Sequence, residues 1–180
     1  VKAAAYARMG LALLIPDTTL YVSRPANFFA MEGRPHLQYA MERLGLPFEG
    51  VSAQFPRLEG LRVIIDDGTN EVLTPECMTA LAAWISHGGT LVGFEQTGRV
   101  AADGGVSLAH VLGLDALHPG VTTLGQGSIN ILPSFPDEDE LEAVLTALSV
   151  SRDVSVSPRV SNATFHRDGK HVLVLYNKQR

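Results

Sequence analysis

Two short polar loops follow the apolar runs 61–65 and 91–94, and they hold the side chains best suited to chemistry. In open α/β sheets, ligands bind outside the carboxyl ends of the strands, so these loops predict a polar pocket at one sheet edge. Paired carboxylates in such a pocket could carry out general acid–base chemistry or hold a cation. The residues predicted to line it are Asp67, Asn70, Glu95, Gln96 and Arg99.

The first of these loops also has a simpler interpretation. Asp66, Asp67 and Asn70 are residue types that accept hydrogen bonds from the backbone of their own turn and cap the following helix. Under that interpretation the loop only supports the fold.

Cys77 is the single cysteine of the chain, so it can form neither an internal disulfide nor a cysteine-based zinc site. It falls in the first turn of a predicted helix, where the helix dipole could lower its pKa. It also lies on the apolar stripe of that helix beside Leu81, which instead predicts a small buried residue. The six histidines follow no zinc-binding pattern, and Gly125-Gln126-Gly127 lacks the third glycine of a dinucleotide site. We therefore predict no metal and no cofactor.

Alternating strand and helix patterns are expected to position these loops. We predict helices over Ala3–Leu14, Pro35–Leu44, Ser107–Leu112 and Asp137–Leu148, and a further helix that starts at Pro75 after a Thr74 cap and stops at Gly88-Gly89. We predict strands over Thr19–Ser23, Phe48–Ser52, Leu61–Asp66, Thr90–Glu95 and Ser128–Leu132, with turns over Gly120–Gly127 and a loop over Gln96–Gly105. Such alternation is typical of an α/β sandwich with a mostly parallel sheet.

The pattern changes after residue 150. Two strands, Val160–His166 and His171–Asn177, flank Asp168-Gly169, which is a strong hairpin-turn signal. We therefore divide the chain into an α/β domain over residues 1–150 and a C-terminal β-hairpin over residues 151–180. The hairpin either docks on the sheet or begins a small β-domain.

Composition limits the classes of partner. The 14 Lys and Arg residues against 19 Asp and Glu residues give a net charge of −5. With no basic stripe, this argues against a nucleic-acid partner. No apolar run approaches the ~18 residues that a membrane span needs, so we expect a soluble chain of unknown compartment, with the cytoplasm slightly favoured. A start at Val1 suggests a chain that is processed, trimmed or cut from a longer one.

Several segments, in their order and spacing, resemble the class I glutamine-amidotransferase-like fold, which is a flavodoxin-like, three-layer sandwich. More specifically, they resemble the trimerisation domain of family 42 beta-galactosidases and related glycoside hydrolases. The segments that carry this resemblance are Leu44–Phe48, Leu58–Asp66, Leu73–Glu76, Leu81–Trp84, His87–Val92, Leu108–Leu114 and Gly125–Ile129. Residues 165–177 resemble the start of the small β-domain that follows in those enzymes.

The resemblance implies a fold without the glutaminase chemistry. Where true glutaminases place their cysteine, this chain has Phe94-Glu95-Gln96-Thr97-Gly98, and it has no His-x-Glu pair. Without nucleophile and base the thioester route is closed. We expect a non-catalytic module that packs against itself or against the rest of a larger hydrolase, with Phe28, Phe29 and Met31 as interface candidates. The alternative is a stand-alone small-molecule hydrolase or binding protein that uses the polar pocket.

Overall fold

The computed structural model describes residues 10–15, 37, 40–41, 44–46, 48–66, 68–150, 160–167 and 170–177. The strands are β1 (Leu11–Ile15), β2 (Glu49–Ser52), β3 (Val63–Asp66), β4 (Val72–Leu73), β5 (Thr90–Phe94), β6 (Val100–Ala101), β7 (Gly120–Leu124), β8 (Gly127–Leu132), β9 (Val160–Arg167) and β10 (Lys170–Asn177). The helices are α1 (Pro75–Ser86), α2 (Leu108–Val111) and α3 (Glu138–Ala147).

Six strands form the main sheet in the order β2-β1-β3-β5-β8-β7. All neighbours are parallel except β7, which pairs antiparallel with β8. The short strands β4 and β6 form a separate parallel pair, and β9 pairs antiparallel with β10. The predicted α/β class with a mostly parallel sheet is therefore confirmed.

Successive residues of a strand point to opposite faces of the sheet. Because successive residues of these strands are apolar, both faces of the sheet are apolar. Ile64, Leu91 and Ile129 belong to one core cluster, together with side chains of α1 and α2. The neighbouring strand residues Ile65 and Val92 belong to a second cluster, which includes Leu141 and Leu145 of α3. Strands buried on both faces read as continuous apolar runs, as parallel strands do.

Helix α1 begins as its sequence predicts. Thr74 is the N-cap, and its hydroxyl accepts a hydrogen bond from the Cys77 N–H at 3.2 Å, while Pro75 occupies the first turn. The buried stripe of the helix consists of Cys77, Met78, Leu81 and Ile85. Trp84 is half-buried, and its indole Nε1 donates a hydrogen bond to the Leu61 carbonyl at 3.1 Å.

Helix α3 begins within one residue of its predicted start. Asp137 and Glu140 form a capping box, in which each side chain accepts a hydrogen bond from the backbone N–H of the other residue. This satisfies two N–H groups that the first helical turn leaves without partners.

Three secondary-structure predictions were wrong. Residues 11–14, predicted as the end of a helix, belong to strand β1 (Leu11–Ile15). Because nearly every residue of Leu-Ala-Leu-Leu-Ile is buried, its apolar run is equally compatible with both structures. Residues 120–124, predicted as turns, form β7, since Val121, Thr122 and Thr123 are β-branched residues. The predicted loop 96–105 contains the two-residue strand β6, which pairs with β4.

Other predictions fall wholly or partly outside the described residues. The strand predicted at Thr19–Ser23 and the turn at Asp168-Gly169 lie there, as does most of the helix predicted at Pro35–Leu44. Within that last segment, Leu37, Ala40 and Met41 are helical.

Candidate functional site

The candidate site is a buried polar cluster at the carboxyl ends of β1, β3 and β5. Asp66, Asn70 and Thr97 are the buried polar residues of the described part of the chain, each at most 1% exposed. In the strand order, β2 lies on one side of β1, whereas β3, β5 and β8 follow one another on its other side. The cluster therefore lies where the direction of the strand order reverses, and α/β sheets commonly bind ligands at such a point.

Asp66 is the centre of the cluster. Its Oδ1 accepts hydrogen bonds from the Gly68 N–H at 3.2 Å, from Asn70 Nδ2 at 2.7 Å and, more weakly, from the Asn70 N–H at 3.4 Å. Its Oδ2 accepts from the Thr97 hydroxyl. These contacts compensate for the burial of the carboxyl group. The structure therefore shows Asp66 supporting its own turn, as the simpler interpretation expected.

Asn70 and Thr97 extend the cluster to the neighbouring strands. Asn70 Nδ2 also donates to the Leu14 carbonyl of β1 at 3.0 Å, and Thr97 Oγ1 accepts from the Phe94 N–H of β5 at 2.9 Å. The two acceptors around Asn70 Nδ2 fix the orientation of the amide. Its Oδ1 is buried and has no hydrogen-bond partner within the described part of the structure. This oxygen is the one unused acceptor that the cluster offers to a donor.

The Thr97 hydroxyl lies against Gly93 of β5, where a side chain would displace it. A Cβ atom at Gly93 would lie 2.9 Å from Thr97 Oγ1, which is too close for the hydroxyl to keep its position. Thr97 was not among the predicted site residues. The available signal was a threonine three residues after a strand end, a spacing at which its hydroxyl can accept a backbone hydrogen bond.

The residues predicted to line the pocket lie in different environments. Asn70 belongs to the buried cluster, Gln96 is half-buried and Glu95 is exposed. Arg99 is also exposed and forms an ion pair with Glu71, just before β4. Asp67 lies outside the described residues, as do the interface candidates Phe28, Phe29 and Met31. The pocket thus stays a prediction.

Cys77 is buried in the first turn of α1. Burial and, to a smaller extent, the negative charge of nearby Asp66 together raise the pKa of its thiol from 9.0 to about 12. Both effects oppose the lowering that a helix N-terminus could produce. Because the thiolate is the nucleophilic form, this environment leaves the cysteine without nucleophilic activity near neutral pH.

We therefore expect the Cys77 thiol to resist alkylation in the folded chain. At pH 8, iodoacetamide should modify it at least about a hundredfold more slowly than in urea-unfolded chain, measured by mass spectrometry. Since folding raises this pKa, its contribution to stability is complete below pH 9 and is lost as the pH rises towards 12. A Cys77→Ala variant should lose less stability over that pH range. Equal alkylation rates for folded and unfolded chain would contradict the assignment.

A second feature lies at the opposite, amino-terminal edge of the sheet. It is an open cleft of about 510 Å³ between the segment before β3 and the end of α1. Its lining includes Glu59, Leu61, Arg62, Trp84, His87 and Gly89. Arg62 lies just before β3, and Ser149 lies just after α3. The Arg62 guanidinium donates a hydrogen bond to the Ser149 carbonyl at 3.2 Å and so links these two segments.

The described residues contain no group of three or more His, Cys, Asp or Glu side chains that could hold a metal ion. Across the same residues, no helix combines the length and the apolar character needed to cross a bilayer. Two large apolar side chains are exposed near the carboxyl ends of β1 and β2. Phe55 is 73% exposed and Ile15 is 46% exposed.

Comparisons with known proteins give matches of structure only. No family model and no curated protein match the sequence. The beta-galactosidase from Bacillus circulans sp. alkalophilus superposes with a TM-score of 0.70 at 15% identity, covering 98% of this chain and 36% of its own. The cold-adapted beta-galactosidase from Rahnella sp. R3 gives 0.67 at 16% identity, covering 94% and 36%. A catalytic mutant of Gan42B, a GH42 beta-galactosidase from G. stearothermophilus, gives 0.66 at 12% identity, covering 94% and 34%.

These structures share the fold of nearly the whole chain. The chain, however, spans only about a third of each of them. The likeness is therefore to one part of GH42 beta-galactosidases, and at such low identity it concerns the fold alone.

Proposed function

We propose that this chain is a non-catalytic structural module of a beta-galactosidase-type glycoside hydrolase, and that it packs against other copies of itself or against the rest of that enzyme. The observation that carries the proposal is the coverage of the matches. The chain aligns over 94–98% of its length with structures of beta-galactosidases, of which it covers 34–36%. A module of a larger hydrolase has this relation to the complete enzyme.

The topology supports the finer classification as a flavodoxin-like, three-layer, amidotransferase-like domain. Once the separate pair β4 and β6 and the antiparallel edge strand β7 are left out, the order β2-β1-β3-β5-β8 corresponds to the doubly wound order 2-1-3-4-5. Side chains of α1 and α3 belong to the two different core clusters, as helices on opposite faces of one sheet would. On this basis we assign the chain to the same class as the trimerisation domain of the family 42 enzymes.

The chemistry of the described residues supports a non-catalytic role. The cysteine is buried with a raised pKa, and the buried carboxyl group of Asp66 accepts hydrogen bonds from three neighbouring residues. A nucleophile would need an exposed position and an adjacent base. Phe55 and Ile15 expose large apolar side chains, and we assign them to the surface that the other copy or the rest of the enzyme covers.

An immunocapture experiment tests the proposal. An antibody raised against the chain should detect, in extract of its source cells, a band far above 19.3 kDa. The captured protein should hydrolyse an aryl β-galactoside, whereas the purified 180-residue chain should show no hydrolysis. A native band at 19.3 kDa, or hydrolysis by the purified chain, would overturn the proposal.

One observation favours a second candidate, a stand-alone small-molecule hydrolase or binding protein. The unpartnered Oδ1 of Asn70 lies at the position in the sheet where ligands of this fold class bind. Under this candidate, Asp67, Glu95, Gln96 and Arg99 would complete the pocket. Glu95→Ala and Asp67→Ala should then abolish a ligand-induced rise in melting temperature, with Glu59→Ala, at the opposite edge of the sheet, as the control. An unchanged rise in both variants would exclude the pocket.

A further inference from the structure

The cleft at the amino-terminal edge of the sheet lies beside a crossover that contains no helix. The parallel strands β2 and β3 are joined by residues 53–62, which form only bends, turns and extended chain. Such crossovers usually include an α-helix, which covers more of the sheet than an extended chain does. The space between this segment and the end of α1 is the open cleft of about 510 Å³. Small-molecule sites have volumes of about 300–1,000 Å³.

Trp84 is the aromatic side chain of the cleft. One face of its indole ring lies against Gly89, where a Cβ atom would be closer than 3.0 Å to ring atoms Cδ2, Cε2 and Cζ2. The bond from Nε1 to the Leu61 carbonyl holds the ring in one orientation and uses its polar group. The half-buried ring therefore lines the cleft with a fixed, apolar surface. A rigid aromatic surface of this kind binds a ligand at a low cost in side-chain entropy.

The polar groups of the cleft include both an acceptor and donors. His87 Nδ1 lies 2.7 Å from the Ala83 carbonyl oxygen, which can only accept, so Nδ1 carries the proton. In the neutral imidazole, Nε2 is then an acceptor. The Arg62 guanidinium has several N–H donors arranged as a fork, and its bond to the Ser149 carbonyl uses one of them.

This combination favours a neutral ligand that is rich in hydroxyl groups. Arg62 and Glu59 line the cleft with opposite charges, which disfavours a ligand of either sign. A sugar ring has one face of C–H groups, which packs on an aromatic ring, and hydroxyl groups that both donate and accept hydrogen bonds. An apolar surface with a few convergent polar groups is the usual composition of a small-molecule site.

We propose that this cleft binds a neutral saccharide, whose C–H face packs on Trp84 and whose hydroxyl groups contact His87 and Arg62. The site lies at the sheet edge opposite the polar cluster of Asp66, and it gives the module a ligand in addition to its structural role. The class of sugar rests on the proposed function, since a module of a beta-galactosidase-type enzyme would meet β-galactosides.

Fluorescence of the 180-residue chain tests the site, because Trp84 is its single tryptophan. Lactose, a neutral β-galactoside, should shift the emission to shorter wavelength in a saturable manner, since a bound sugar displaces water from the ring. Acrylamide should then quench the emission less. Glycerol at the same concentrations controls for a general solvent effect and should give no saturable shift.

Ala80→Gln should block the cleft while keeping the fluorescent reporter. Ala80 lines the cleft from α1, whereas Ala143 is exposed on α3, so Ala143→Gln is the matched control. Glutamine is a good helix former, and both helices should therefore persist. We expect Ala80→Gln to weaken lactose binding about tenfold or more through steric overlap. Ala143→Gln should leave the binding unchanged.

His87→Ala tests the acceptor. Its lactose binding should weaken about fivefold, which corresponds to the loss of one hydrogen bond. His110→Ala is the control, because His110 is exposed on α2 and does not line the cleft.

No saturable response of Trp84 to lactose, an equal effect of the two glutamine variants, or a response to inorganic phosphate in place of lactose would each overturn the saccharide site. These results would leave the proposed function standing, because the native mass and the hydrolysis assay test it separately. Saturable lactose binding by a native protein of 19.3 kDa would support the site and exclude the module of a larger enzyme.

Discussion

Replacing Asp66 with alanine is expected to lower the free energy of unfolding by about 4 kcal/mol. The substitution removes the acceptor of the Thr97 hydroxyl and of the Gly68 and Asn70 N–H groups in a region with almost no solvent access. Each buried donor left without a partner costs about 1–3 kcal/mol. Urea denaturation followed by far-ultraviolet circular dichroism measures the change.

Asp103→Ala is the matched control for that experiment. Asp103 is exposed and accepts one hydrogen bond, from the Gly105 N–H at 2.8 Å, so its loss should cost below about 1 kcal/mol. Thr97→Val should reproduce part of the Asp66 effect, because it removes one donor and retains the side-chain shape. Equal stabilities for Asp66→Ala and Asp103→Ala would show that the cluster does not hold the strand ends together.

Gly127→Ala should destabilise the fold by about 3 kcal/mol or more. A Cβ atom at this position would lie closer than 3.0 Å to the carbonyl oxygens of Ile85 and Gly89. Both are backbone atoms, at the end of α1 and just before β5, so they cannot move without shifting an element. A lowered melting temperature and a reduced soluble yield would report the effect.

Gly113→Ala is the control that distinguishes the two reasons why a fold can require glycine, which are close packing and backbone conformation. Gly113 has a φ of +75°, but a Cβ atom there would have no neighbour within 4 Å. Its substitution should cost about 1 kcal/mol, the usual cost of placing a side chain in the left-handed region. If the two alanine variants lost the same stability, close approach of the backbones would not be the reason for the glycine at position 127.

The helices show what the sequence could predict. Thr74 and Pro75 define the start of α1, and Asp137 with Glu140 defines the start of α3, because capping depends on residues close in sequence. Strand β1 was missed because nearly all of its residues are buried, and periodicity cannot distinguish such a run from a buried helix.

The site was predictable only in part for a similar reason. Asp66 and Asn70 lie four residues apart, and their residue types already indicate a turn held by side chains. The contact between Asp66 and Thr97 joins residues 31 positions apart. It depends on β3 and β5 being neighbours in a particular register, and no local pattern contains that information.

The fluorescence of the single tryptophan reports on one contact of this fold separately from the rest. Trp84 extends from α1 and donates its indole hydrogen to the Leu61 carbonyl, so its fluorescence emission depends on contact between the helix and the segment before β3. Circular dichroism, in contrast, averages over all helices and strands. If the two signals share one denaturation midpoint, the chain unfolds as a single cooperative unit. An earlier change in emission would identify the α1 contact as a region that opens before the rest.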